Sequence, residues 1–408
     1  MQSFIEEEEK TYEVVPFTWP KGYKADGVYV GLRKNPEKKD MGWLYSEVPA
    51  QAAGTYTTNQ FQAAPTKLTK QTINKEHLLQ GIVMNTANAN SVTGKQGMID
   101  ALQMQAWAAE KLNVDNDLVG VASTGVIGEP LPMDLIKKGV DKLQLLDNVY
   151  VTEAVLTTDK HTKTISTQIE LDGKTVTISG FCKGSGMIHP KMATMLGFVV
   201  TDAKIADGAL QEMLSQEVDS TFNQITVDGD TSTNDMVVTM ANGLAGNEPI
   251  KNDDSANAQT FLNAYNAVLT QLAQDIAADG EGSTKLVEVN VENAANHADA
   301  QKVAKAVVGS NLVKAAIFGE DANWGRIIAA IGQTNAQVDI DHTSVWLNDL
   351  PLVTDSHSAD FDEAVMKQTL SENKITILVD LHSGNATGQA WGCDLTYNYV
   401  RINATYRS

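Results

Sequence analysis

Two periodicities run through the chain. Ile165, Thr167, Ile169 and Leu171 alternate with other residues, Asp172-Gly173 follows, and Val176 and Ile178 alternate back. A period of two predicts strands, and Asp-Gly supplies the positive φ of a type I′ turn, so a hairpin is expected here. Leu196 to Val200 is nearly all apolar, the pattern of a strand covered on both faces. Ile82–Asn85 and Leu118–Ala122 read as buried strands that open into small polar runs, Thr86 to Ser91 and Ser123 to Gly128. Val287, Val289 and Val291 alternate, and Val345–Leu347 and Ile375–Leu381 are further strands with a helix between them.

Helical spacing appears at Ile99, Leu102, Ala106, Ala109 and Leu112, over Asp207 to Phe222, and from Phe261 to Ile276 with a stop at Asp279-Gly280. One helix is expected from Ala298 to Ile317, and a final pair of strands is expected to carry the chain to Ser408. Thr11 to Gly54 predicts short strands and loops, and Tyr56-Thr57-Thr58-Asn59 a β-prone edge ended by Ala63-Ala64-Pro65. Interspersed strands and helices with hairpin signals give an α/β class, a layered sandwich with mixed sheets.

Composition narrows the function. The 408 residues are 42% hydrophobic and 20% charged, an ordinary globular balance, with a formal charge of −20. No Lys/Arg cluster is present to meet a phosphate backbone, so nucleic acid is not an expected partner. No run of 18 apolar residues suggests a membrane, and the acidic start Met1 to Lys10 lacks the basic character of a targeting peptide. Two cysteines, Cys182 and Cys393, are too few for a disulfide scaffold; a reduced, cytoplasmic setting is expected. Asp228, Asp230, Ser232 and Asn234 fall at calcium-loop spacing, but Thr233 and Thr239 occupy the positions that need Gly and Glu, so a hydrogen-bonded polar turn beside the site is expected instead. Gly184-Ser185-Gly186 and Gly94-Lys95 each lack the rest of a nucleotide fingerprint.

Candidate chemistry centres on Cys182 to Gly197, a glycine-punctuated turn that runs into the apolar strand and holds the bond Ala193-Thr194. By local pattern this is a loop entering a core strand. It also carries the parts of a self-cleaving site, if the glycines adopt backbone angles closed to other residues and press Thr194 Oγ against the carbonyl of Ala193. Attack would move the acyl group from N to O, and water would release a chain beginning with Thr194. Its α-amino group, with an ordinary pKa near 7.7–8.0, would then serve as the base for its own hydroxyl. Thr124-Gly125, after a strand, offers a hydroxyl and a backbone N–H to one space, which is either a plain glycine turn or an oxyanion hole.

Eight segments taken in order resemble one family, the ornithine acetyltransferases (glutamate N-acetyltransferases) of arginine biosynthesis. They are Ala63 to Pro65, Ser123 to Gly128, Thr157 to Asp159, Lys183 to Leu196, Asp228 to Asp235, Asp279 to Gly282, Asn323 to Arg326, and Asn403 to Ser408. The resemblance implies an ornithine acetyltransferase/aminopeptidase-like fold, cut between Ala193 and Thr194 into intertwined chains of residues 1–193 and 194–408 that assemble as an α2β2 heterotetramer. It implies a Thr194 nucleophile that takes acetyl from N2-acetylornithine and passes it to glutamate, with Thr124 and Gly125 as the oxyanion pair. Thr157, Lys183, Glu281, Asn403 and Ser408 match the family's substrate-contacting positions. One cation and one anion suit charged amino-acid substrates, with Lys183 aimed at a carboxylate and Glu281 at the ornithine ammonium. No metal or cofactor is implied, and acetyl-CoA is left open as a second donor. The chain departs from the family at Lys191, where Asn is usual, and at Thr86-Ala87-Asn88, where Ser-Gly-Asn is usual. The competing reading is an N-terminal-nucleophile amidohydrolase or β-aminopeptidase of related fold, in which water resolves the acyl-enzyme.

Overall fold

Asp172 (φ 54°) and Gly173 (φ 69°) form the expected two-residue turn, and Lys163–Leu171 pairs antiparallel with Lys174–Lys183 from Leu171↔Lys174 to Lys163↔Cys182. The computed structural model describes residues 11–189 and 195–405, and this hairpin seeds the first of its two sheets. Lys174–Lys183 pairs antiparallel with Leu196–Thr201, which runs parallel to Met236–Ala241; all six residues of each of these two central strands are buried. The order continues through Met41–Tyr56, Leu78–Asn85 and Val119–Ser123, with Tyr23–Val28 paired to Met41–Tyr56 and Glu13–Val15 on the outer side of the hairpin. The sheet therefore mixes parallel and antiparallel pairs.

A second mixed sheet of seven strands forms around Leu286–Ala294, flanked by Lys374–Asp380 and Ala386–Cys393. Its edge strand, Ile225–Thr226, comes from the segment that then supplies Met236–Ala241 to the first sheet, so the two layers cannot be separated into independent halves. Between them lies the helix Ala256–Ala278. Phe261, Tyr265, Leu272 and Ile276 pack in one buried cluster with Ile178 and Val199 of the first sheet and Trp391 of the second.

Several expectations need correction. Ala63-Ala64-Pro65 does not end a strand but starts the helix Ala64–Glu76, with Pro65 in the first turn, where its missing N–H goes unmissed. That helix escaped the periodicity argument because its buried face carries Thr66, Thr69 and Thr72, and Thr69 Oγ1 both donates to Val121 O and accepts from Val121 N. Helix Gly94–Leu112 buries Ala101, Met104, Ala108 and Leu112, and Ile99 and Leu102 of the expected apolar spacing are exposed. Thr11 to Gly54 contains the sixteen-residue strand Met41–Tyr56 rather than short strands alone. The helix expected over Ala298 to Ile317 is two, His297–Gly309 and Asn311–Phe318, divided where Ser310 Oγ accepts from Val313 N. The chain end is not a strand pair: after Ala386–Cys393 it forms the helix Tyr397–Ala404.

Gly173 isolates the backbone cost of the hairpin turn, because a Cβ there would meet nothing within 4 Å. Gly173→Ala is expected to lower stability by about 1–2 kcal/mol through its positive φ alone, measured by urea unfolding, with catalytic activity unchanged.

Candidate active site

The hairpin ends at Lys183, registered opposite Leu196. The turn beyond it is held at Gly184, Ser185, Met187 and Ile188. Gly184 N donates to Asp159 Oδ1 (2.7 Å), Ser185 Oγ to Asp279 O (2.7 Å), and Ser185 O accepts from Glu281 N (2.9 Å). The N–H groups of Met187 and Ile188 donate to the two oxygens of Asp228 (2.7 and 2.9 Å), which gives the Asp228–Asp235 run the supporting place expected of it. The glycines act differently from expectation. Gly184, Gly186 and Gly197 are not in the left-handed region; Met187 is, at φ 57°. Gly186 is needed for space, since a Cβ there would lie 2.4 Å from Glu281 Cδ.

Behind the turn, Lys163 Nζ bridges Asp159 Oδ1 (2.7 Å) and Asp279 Oδ2 (2.6 Å), all three side chains being fully buried. Burial opposes ionisation of Asp159, but Lys163 and Lys183 outweigh it and hold the carboxyl well below the usual range. Burial likewise works against the Lys163 ammonium, and Asp159, with Cys182 and Asp279, reverses the balance and raises it. Asp159 Oδ2 also accepts from Thr157 N (2.8 Å), and Asp279 Oδ2 from Lys160 N (3.0 Å). One ionic cluster thus fixes the loop carrying Thr157, the turn after Lys183 and the helix end before Glu281. Sequence reading assigned none of these three a role, because Asp159 and Asp279 are 120 residues apart and only the fold joins them.

In front of the turn lies a cavity of about 510 Å³ that brings together Thr124, Gly125, Thr157, Lys183, Glu281 and Asn403. Lys183 Nζ donates to Thr124 Oγ1 (3.2 Å), and both residues are buried. Gly125 has φ 133°, and a Cβ there would lie 2.2 Å from the carbonyl carbon of Ala87, so only glycine fits. Ala87 itself has φ 72°, a left-handed angle that ordinarily favours glycine. Asn403 Nδ2 donates to Glu281 Oε2 (2.7 Å) from the helix Tyr397–Ala404, which rests on Gly282 and is tied to it by Thr396 Oγ1 donating to Gly282 O (2.7 Å). The C-terminal segment therefore reaches the cavity. Ala193, Thr194 and Ser408 lie outside the described residues. Asp235, the last residue of the Asp228–Asp235 segment and given no role of its own from sequence, is buried just before Met236, the residue registered with Leu196; burial pushes its carboxyl well up, and Lys183 draws it partly back. Among the described residues no His/Cys/Asp/Glu group is arranged to hold a metal, and no helix is long and apolar enough to cross a membrane.

Two interleaved mixed sheets around a buried helix, with a cavity lined from both halves of the chain, define an α/β fold with mixed sheets. The chain belongs to the ArgJ family, whose model matches residues 24–408. It is 62% identical to the arginine biosynthesis bifunctional protein ArgJ of Lactiplantibacillus plantarum over 97% of this chain and 98% of that one, and 51% identical to that of Oceanobacillus iheyensis over 96% of each. A crystal structure of the arginine biosynthesis bifunctional protein from Bacillus halodurans is similar at 51% identity and a TM-score of 0.51, covering 52% of this chain and 99% of that one.

Lys163→Met is expected to destabilise the fold by about 3–5 kcal/mol, since it leaves two buried carboxylates facing each other. The pH profile carries the sign. The Asp159 contribution is present above its unfolded pKa near 3.8 and is lost as pH falls through its lower folded value. The Lys163 contribution is present below 10.5 and is lost as pH rises through its higher folded value. Chemical unfolding between these limits should show the full difference from wild type, and below pH 3.8 the difference should shrink.

Proposed function

We propose that this chain, an acetyltransferase of arginine biosynthesis, moves acetyl from N2-acetylornithine to glutamate in two half-reactions through an acetyl ester on Thr194. The observation that carries the reading is the cavity itself, where one cation, one anion and a Thr-Gly turn meet beside the strand that follows Thr194. Leu196, two residues after Thr194, is registered opposite Lys183, and two residues span at most about 7 Å.

In the first half-reaction the Thr194 hydroxyl, deprotonated by its own α-amino group, attacks the acetyl carbonyl, and ornithine leaves with the proton. In the second, the glutamate amine attacks the ester, and Thr194 Oγ recovers a proton. Thr124 Oγ1 and Gly125 N–H are the donors for the oxyanion formed each time. For Thr124 Oγ1 to donate there while accepting from Lys183, its proton must point into the cavity, which the Lys183 contact favours. Lys183 pairs with a substrate carboxylate; Glu281, oriented by Asn403, receives the ornithine ammonium; Thr157 and Ser408 complete the substrate contacts.

The nucleophile is freed by cleavage between Ala193 and Thr194, giving chains 1–193 and 194–408 that remain interleaved as half of an α2β2 tetramer. A solved family chain that is matched over 99% of its length yet spans 52% of this one supports such a division. The reaction needs no metal or cofactor. Acetyl-CoA serves as a second donor in the reading that the relatives' "bifunctional" names support, and the cytoplasm is the expected compartment. The hydrolytic alternative differs only in what resolves the ester, and family membership favours glutamate over water.

Incubating the enzyme with N2-acetylornithine decides between them: ornithine release is expected to depend on glutamate, and release indifferent to glutamate would overturn transfer. Thr194→Ala is expected to give one full-length band on a denaturing gel and no activity. Thr124→Val should lower kcat by about 10²–10³, the usual loss for one oxyanion donor. Glu281→Gln should still be cleaved but transfer poorly; unchanged turnover would remove Glu281 from the site.

A further inference from the structure

The reaction cavity has apolar lining as well as charged groups. Val126 and Ile127 come from the loop after the Thr124-Gly125 turn, and Met187 from the turn after Lys183. Met187 combines two features that are uncommon together. It is a large apolar residue left 42% exposed, and its φ of 57° is a left-handed angle that strains any residue but glycine. Its neighbours hold it there. Gly186 lies against the Glu281 carboxyl, Ile188 is buried in the cluster around the central helix, and Asp228 accepts from the N–H groups of both Met187 and Ile188. Val227 N adds a bond to the Ile188 carbonyl (2.7 Å). The Met187 side chain itself packs in none of the buried apolar clusters. An enforced, strained backbone that presents an unpacked apolar side chain to a cavity points to a role in binding rather than in folding.

The chemistry of the donor says what would cover that side chain. An amino acid with its carboxylate on Lys183 and its terminal ammonium on Glu281 presents to the remaining wall what lies between its charges, an unbranched stem of methylenes. Met187 is one residue from Gly186, which touches the Glu281 carboxyl, so it stands beside the end of the site that takes the ammonium. We propose that Met187 is a specificity-determining residue, whose side chain covers this stem and reads its length. The inference rests on the reading of N2-acetylornithine as donor. A homologue one methylene shorter or longer cannot keep both charged ends and the acetyl group in place and also fill the apolar wall. A thioether on three rotatable bonds adapts closely to such a stem, and the fixed backbone limits how far it can follow a longer or shorter one.

The test compares kcat/KM for N2-acetylornithine with that for N2-acetyl-2,4-diaminobutyrate and N2-acetyllysine, one methylene shorter and one longer, with glutamate as acceptor. Wild type is expected to favour the ornithine derivative by about tenfold or more over either. Met187→Ala and Met187→Gly should each raise KM for N2-acetylornithine about tenfold at nearly constant kcat, and lose most of that preference. Met187→Leu, which keeps the bulk, should retain it. The two truncations separate the side chain from the strain, because glycine relieves the left-handed angle and alanine does not. A change shared by both therefore belongs to the side chain. Failure of wild type to release ornithine from N2-acetylornithine overturns the donor reading itself. With wild type active, the inference falls if it shows no preference among the three donors, if either truncation keeps the wild-type preference, or if kcat rather than KM bears the loss. It falls also if Met187→Leu behaves as the truncations do, or if a truncated variant is left uncut between Ala193 and Thr194.

Discussion

Lys163 between Asp159 and Asp279 is the contact on which the active-site geometry rests. Isolated burial of any of these charges would be prohibitive; together, with backbone N–H groups from Thr157, Lys160 and Gly184 added, each finds compensation. Such a cluster tolerates little displacement, because moving one member exposes the others to a low dielectric without a partner. It joins three pieces of chain that local structure would leave independent: the loop at 157–160, the end of the hairpin at 183–184, and the end of the helix Ala256–Ala278.

Rigidity passes forward from there. Asp279 O receives Ser185 Oγ, Ser185 O receives Glu281 N, and Gly186 leaves the space that the Glu281 side chain occupies. The position of the cavity's anion is therefore set by the same turn that begins at its cation. Strain is present, but not where glycine content suggested it. Met187 and Ala87 carry the left-handed angles, each at a cost of about 1–2 kcal/mol, and each beside a cavity wall: Met187 held by Asp228, Ala87 against Gly125. Residues other than glycine persist in such conformations only where their surroundings over-determine them.

Much of this was legible in the sequence. The Asp-Gly hairpin, the doubly covered strand after Met195 and the helix ending at Asp279 follow from pattern, because each depends on neighbours within a few residues. The six described candidate residues were reached through motifs that match a family, and all six line one cavity. What escaped depends on distant partners. Thr66, Thr69 and Thr72 look polar until distant partners arrive to bond them, the Asn234 carbonyl, the Val121 backbone and the Gln105 amide, so the face they bury does not read as a hydrophobic stripe. Ile99 and Leu102 look like core, yet their helix buries Ala101, Met104, Ala108 and Leu112 instead. Lys163 gives no local sign at all, since a lysine flanked by threonines on a strand is ordinarily solvated.

Two uses of buried charge can now be distinguished within one molecule. Lys163 is saturated, its ammonium matched by two carboxylates inside the protein, and it has nothing left to offer a ligand. Lys183 and Glu281 are equally shielded from solvent, yet their described side-chain partners are uncharged, a threonine hydroxyl and an asparagine amide. These bonds orient the two groups, and although Lys183 acts electrostatically on Asp159 and Asp235, neither Lys183 nor Glu281 is in a direct ion pair among the described residues. A zwitterionic amino acid with a charged side chain brings charges of both signs with it. In the proposed reaction, a cation and an anion held apart, each tethered to a neutral group, are what would orient such a substrate. The cluster of Lys163 makes that arrangement stable, because it ties together the loop at 157–160, the turn after Lys183 and the helix end before Glu281.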